Sequence, residues 1–253
     1  MRCLLLTWMT FVGVGCVHSD PASRRHVAEA GITITSSEVT EERLVKLLAE
    51  MKLAKTEIES SWGSTFDGPI RIDVDSRYRL PRALIPAWSG KRGVIEFPTD
   101  RVNRGTATTV HELVHVFAPN QNRLLAEGLA VYLHEKLHGN SAFPNFSRPL
   151  NVAAREDAAK IRIGALDDVA TPAPLHTSKA CDEQVCYLAA GSFVKFLIER
   201  YGMERFRQLY ALTPLKPGEH GNSGARERYT NIYAKDRDLL ESEWRDWIDR
   251  VLR

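Results

Sequence analysis

The run from Thr106 to Phe117 carries one charged residue, Glu112, set between two histidines, His111 and His115. On an α-helix, side chains four residues apart lie one above the other on the same face. His111 and His115 can therefore aim two imidazoles at a single metal ion. Glu112, next to the first imidazole, can take a proton from a water that the ion activates without itself occupying the ion. This is the H-E-x-x-H arrangement of zinc hydrolases. The flanking Val110, Leu113, Val114, Val116 and Phe117 predict a helix buried nearly all round. Buried histidine and glutamate are expensive unless paired or metal-bound. A plain core helix with two satisfied histidines would leave Glu112 without a reason.

A catalytic zinc takes three protein ligands and keeps one position open. Glu127 is the natural third ligand. Pro119 and Asn120 should end the first helix, because proline cannot continue the backbone ladder. A second helix is expected from about Gln121 or Asn122 to His138, with Asn120 or Asn122 as N-cap and Gly139 as C-cap. Glu127 sits among Leu124, Leu125, Leu129 and Val131 inside that helix, so its carboxylate can face back onto the histidine pair; an ordinary surface glutamate is the other reading. Two histidines, a glutamate and a water make an established catalytic zinc set with one Zn2+ ion.

The chain also holds a second match, His134-Glu135-Lys136-Leu137-His138. Lys136 lies inside it and Gly139-Asn140 follows directly, a helix C-cap signal. It is expected at a solvated helix end, as a chance match or an outer polar face, with a role for His134 behind the metal ligands or at a surface metal left open.

With these residues in place, the segment Val110 to Phe117 followed by Glu127-Gly128-Leu129-Ala130 resembles the gluzincin, or peptidase MA-like, zinc metallopeptidases. Ala118 and Gln121 stand where the metzincin pattern wants Gly and His, which rejects that branch. The resemblance implies an α+β, zincin-like fold. A small N-terminal mixed sheet, with helices that include the zinc helix, would occupy about 30–119. A mainly helical C-terminal lobe would occupy about 120–253, with the active-site cleft between them. It implies hydrolysis of peptide bonds, with Glu112 as base. A Tyr or His from the C-terminal lobe would face the developing negative charge; Tyr187, ahead of the helix bearing Gly191 and Ser192, resembles such a residue. A core aromatic is the other reading of Tyr187, and His176 is a second candidate donor. Arg92 to Pro98 reads as a strand in the place where gluzincins bind substrate by strand addition. Large aminopeptidases carry Gly-x-Met-Glu-Asn there, with the Glu reading the free amine; this chain has Gly93-Val94-Ile95-Glu96-Phe97, and Glu96 is read as an exposed strand residue, with amine binding as the alternative.

The other elements follow from periodicity. Gly31 to Thr35 is strand-like, and Ile70, Ile72 and Val74 alternate with polar residues as in a half-buried strand. Thr40 can cap a helix that begins Glu41-Glu42 and carries the stripe Leu44, Leu47, Leu48, Met51, Ile58 and Trp62. Residues 76–92, 140–180 and 214–231 read as loops, the second with a short helix over 152–161. Helices are expected over 188–201 and 204–212, and a last one with the stripe Leu240, Trp244, Trp247 and Val251.

The 253 residues carry a net charge of +2, which excludes a polycation built for nucleic acid. Met1-Arg2 and the uncharged run from Cys3 to Gly15 read as an export signal covering 1–16, too short for a comfortable membrane span. The run ends Gly13-Val14-Gly15-Cys16, similar to a bacterial lipobox. Cys16 would then be lipidated, anchoring an envelope protein to the membrane through a tether over 17–29; otherwise it is cleaved off nearby. Cys181 and Cys186 remain, and in an exported chain they are expected to form a disulfide. The reading is a monomeric, exported zinc peptidase acting on a peptide or protein. The alternatives are a degenerate zincin that binds metal or peptide without hydrolysis, and an envelope lipoprotein without a site.

Overall fold

The computed structural model describes residues 24–139, 143–167, 181–212 and 225–253. Five strands form one mixed sheet: β1 (Arg25–Glu29), β2 (Ile32–Ser36), β3 (Ile70–Val74), β4 (Arg82–Leu84) and β5 (Val94–Phe97), in the order β1-β2-β3-β5-β4. The three central strands run parallel, and the two outer ones pair antiparallel to their neighbours. Alternation sorts the two faces. Ile32 and Ile34 align with Ile70 and Ile72, and Ile72 and Val74 align with Ile95 and Phe97, all buried. Asp73, Glu96 and Arg82 lie in register on the opposite face, where Tyr78 donates to Asp73 at 2.6 Å and Arg82 pairs with Glu96.

Helix α1 (Glu41–Trp62) packs across β1 and β2 and against the helix that carries His111 and His115. Thr40 caps it, accepting from the Arg43 amide. Every residue of its expected stripe is buried. Two short helices, α2 (Pro86–Ser89) and α3 (Thr99–Arg104), flank β5. Then come α4 (Thr109–Phe117) and α5 (Arg123–His138), joined by a tight turn. The helical body comprises α6 (Leu150–Asp157), α7 (Ile163–Asp167), α8 (Glu183–Tyr201), α9 (Met203–Ala211), α10 (Ala225–Tyr233) and α11 (Arg237–Val251). Among its contacts, Trp244 donates to Ser192 Oγ at 3.0 Å, and that hydroxyl donates to Asn151 at 2.9 Å.

Several expectations change. Residues 25–29, assigned to a tether, are strand β1, hydrogen-bonded to β2 across its whole length. The segment read as a loop over 76–92 contains β4 and α2. Because β4 pairs with β5, the strand 94–97 is not the sheet edge; β4 is. Glu96 is correspondingly covered by Arg82. Residues 225–231 of the expected third loop are helical. On α11 the buried stripe is Leu240, Trp244 and Ile248, while Val251 is half exposed. Residues 1–16 with Cys16, residues 17–23 and His176 lie outside the described residues.

Candidate metal centre

Helix α4 is buried at all nine positions, as its uncharged flanks demand. It ends at Phe117, and Arg92 closes it by donating to the last carbonyls, Val116 at 3.0 Å and Phe117 at 3.2 Å. A cation at a helix C-terminus is favoured by the helix dipole. The turn that follows is tied down from the helical body. Tyr210 of α9 donates to the Ala118 carbonyl at 2.6 Å, and Asn120 donates to the Tyr210 carbonyl at 2.9 Å. Asn122 then caps α5, accepting from the Leu125 amide at 3.0 Å, while its own amide donates to Asp167 at 2.7 Å.

This turn brings Glu127 against the two histidines. His111 Nε2 lies 3.0 Å from Glu127 Oε2, His115 Nε2 lies 3.1 Å from the same oxygen, and the two nitrogens are 3.3 Å apart. All three residues are buried, and they are the one cluster of three or more metal-ligating groups among the described residues. Hydrogen bonding does not account for all three edges of the triangle: if both imidazoles donate to Oε2, both Nε2 atoms are donors and their 3.3 Å approach has no bond. A tetrahedral ion about 2.0–2.1 Å from each donor needs separations of roughly 3.3–3.4 Å, close to what the triangle has. The donor set therefore fits a divalent metal of the zinc type.

Two supporting contacts were not anticipated. Arg123, one turn before Glu127 on α5, pairs with the other carboxylate oxygen, Oε1. Burial alone would raise the Glu127 carboxyl; the Arg123 guanidinium, then the imidazoles, outweigh it and hold it well below the usual carboxylate range. Glu127 is thus ionised, with Oε2 directed at the histidines. Thr108 is the other. It occupies the N-cap position of α4 but makes no capping bond there; its hydroxyl donates to Glu112 Oε1 at 3.1 Å. Glu112 is itself buried, 5 % exposed. The i, i+4 spacing of both pairs was visible in the sequence, though nothing there marked them as partners.

Helix α8 forms the opposite wall. It begins at Glu183, so Tyr187 lies one turn inside the helix rather than ahead of it. Its ring stacks on His111, with centroids 6.1 Å apart and planes 27° apart. Burial pushes its phenol up, so it stays protonated and able to donate. Tyr187 is held at that position by close helix packing. A Cβ on Gly128 of α5 would lie 2.4 Å from Val194 Cγ2 and 2.6 Å from the Ala190 carbonyl oxygen of α8. A Cβ on Gly191 of α8 would lie 2.4 Å from Val131 Cγ1 of α5. The glycine after Glu127 is there so the two helices can meet. Cys181 and Cys186 are disulfide-bonded, fixing the chain just before Tyr187.

The second H-E-x-x-H divides. Glu135 accepts from the Leu150 amide at 2.7 Å and pairs with Lys195 at 2.7 Å, so it caps α6 and is spoken for. His138 is exposed, as expected of a solvated end. His134 is not: it is 6 % exposed, and its Nδ1 is buried with no hydrogen-bond partner among the described residues. Seven residues separate it from Glu127, which puts both on one face of α5. Burial, reinforced by the charges of His111 and His138, pushes its imidazole from 6.5 down to about 3.

No protein-family model matches the chain, and no curated protein does. Solved structures do. Native yeast leukotriene A4 hydrolase matches with a TM-score of 0.53 at 15 % identity over 88 % of this chain and 38 % of that one. A second structure of the native enzyme from Saccharomyces cerevisiae gives 0.52 at 15 % identity, over 89 % and 38 %. A mutant of the M1 zinc metallopeptidase from Deinococcus radiodurans gives 0.48 at 14 % identity, over 89 % and 51 %. The chain spans 38 % to 51 % of the length of these proteins. At such identity the likeness to the yeast enzyme is one of fold alone: a small mixed sheet and a mainly helical body.

Proposed function

We propose that this chain is a zinc-dependent peptidase of the gluzincin type, with His111, His115 and Glu127 as the ligands of one Zn2+ ion and Glu112 as general base. The observation that carries this reading is the 3.0–3.3 Å triangle of two imidazole nitrogens and one ionised carboxylate oxygen beside a second buried carboxylate. When bound, zinc supplies Lewis acidity that makes water a nucleophile near neutral pH and polarises a carbonyl. The residues do the rest. Glu112, oriented by Thr108, takes the proton from the attacking water and returns it to the departing amine. Tyr187 keeps its O–H at all working pH values and offers it to the oxygen on which negative charge develops. Arg123 holds the Glu127 carboxylate by Oε1 and keeps it anionic.

The outer edge of β4, to which no strand among the described residues is paired, offers backbone groups on which an extended peptide can lie. The substrate is therefore a peptide or an extended protein segment. The apolar leader and the Cys181–Cys186 disulfide both suit an exported protein, attached to the bacterial envelope where Cys16 is lipidated. Zinc analysis of the purified chain tests the ligand set. One zinc per chain is expected, with loss in His111→Ala and in His115→Ala; stoichiometric zinc in both variants would overturn the assignment.

A further inference from the structure

Beside the metal centre a line of aromatic rings runs out to solvent. Tyr187 stacks on His111 at 6.1 Å. Phe143 meets Tyr187 edge-on at 5.2 Å and 68°, and Phe146 meets Phe143 edge-on at 5.8 Å and 75°. These distances and angles are those of favourable ring pairs. Exposure rises along the line: Tyr187 is buried, Phe143 half-buried, and Phe146 is 54 % exposed.

An exposed phenylalanine is ordinary by itself. Phe146 is not ordinary, because its φ is +46° and Ser147 follows at +70°. A bulky residue in the left-handed region is disfavoured, and such conformations persist where the surroundings over-determine them, most often at functional sites. The surroundings do so here. Gln184 of α8 donates to the Pro144 carbonyl at 3.0 Å, the Arg148 amide bonds the Asn145 carbonyl at 3.2 Å, and Arg148 itself pairs with Glu156 and Asp157 of α6. The turn 143–148 is thus anchored to α6 and α8, and within it the Phe146 ring is held against Phe143 with half its surface in water.

We propose that Phe143 and Phe146, continuing the ring of Tyr187, form the wall of a substrate subsite that selects a large apolar side chain, aromatic or long aliphatic, on a residue flanking the cleaved bond. The assignment rests on the peptidase reading above. Only one ring separates Phe143 from the ligand imidazole of His111, so the side chain received is that of a residue next to the reacting carbonyl. Docking removes apolar surface from water on both sides. An anionic side chain there loses hydration and finds no partner among the rings.

A peptide library, read for cleavage by the zinc-loaded full-length chain, tests this. Wild type is expected to favour Phe, Tyr, Trp, Leu or Met on one side of the scissile bond. Phe143→Ala and Phe146→Ala are each expected to lower the ratio of kcat/KM for a phenylalanine peptide over its alanine counterpart by about tenfold, the scale of an apolar pocket contact. Binding of the phenylalanine peptide to the Glu112→Gln protein, followed by calorimetry, is expected to weaken in the same proportion when Phe146→Ala is added. Phe146 is exposed, so its variant reports even where Phe143→Ala unfolds. Cleavage without apolar preference, or a preference unchanged in Phe146→Ala, would overturn the subsite and leave the peptidase standing. Zinc-loaded wild type that cleaves no peptide overturns the peptidase reading, and the subsite with it.

Discussion

Thr108 commits its hydroxyl to Glu112 rather than to the amides of its own helix, which ties the carboxylate to one orientation. Replacing it with valine keeps the shape and removes the donor. Thr108→Val is expected to lower kcat several-fold with zinc content unchanged, measured by steady-state kinetics beside metal analysis; unchanged kcat would remove Thr108 from the site. His134 makes a different prediction. Its folded value of about 3 lies below the unfolded 6.5, so the unfolded chain binds the extra proton. Stability is then untouched above pH 6.5 and falls as pH drops from 6.5 toward 3, by up to ~1.4 kcal/mol per unit. His134→Leu removes this, and denaturant unfolding from pH 7 to 4 is expected to show a shallower acid decline than wild type; identical slopes would contradict it. The sequence misread this residue for a physical reason. Lys136 and Gly139 do mark a solvated end, but His134 lies one turn further in, where the seven-residue spacing from Glu127 decides its face.

At the scale of elements, the close approach of α5 and α8 sets where Tyr187 stands over His111. Gly128→Ala gains helix propensity, worth about 1 kcal/mol, yet drives a methyl group into the Ala190 carbonyl. Overpacking costs typically 1–3 kcal/mol, so thermal unfolding of the variant is expected at a lower temperature than wild type; a raised midpoint would mean that the helices part without cost. Long amphipathic elements were legible: α1 has its stripe in place, and α5 has Asn122 and Gly139 as its caps. Short ones were not. β4 has three residues, too few for alternation to register, and it follows Pro81. That omission mattered, because it placed strand addition at β5, which β4 covers. β1 is exposed along most of its length, so its sequence carries no apolar signal; only pairing with β2 makes it a strand. In α11, sequence spacing alone did not separate Trp247, which is partly buried against Phe196 of α8, from Ile248, which is buried.

At the scale of the molecule, the candidate site lies where the sheet-side helices meet the helical body. α4 reaches it from the sheet side, α5 and α8 from the helical side, and Asn120, Asn122 and Tyr210 lock the turn between them. The cluster of His111, His115 and Glu127 was readable because two of its members are four residues apart and the third is embedded in an apolar helix. The supports were not, since Arg92, Arg123 and Tyr210 act through contacts that only the folded chain creates. The central claim is that these parts make a working peptidase with Glu112 as its base. The most direct measurement is peptide cleavage by Glu112→Gln beside wild type, with zinc determined in both. The account predicts zinc at wild-type stoichiometry in the variant and a fall in kcat/KM of roughly 10²–10⁴. Cleavage at the wild-type rate by Glu112→Gln would contradict it.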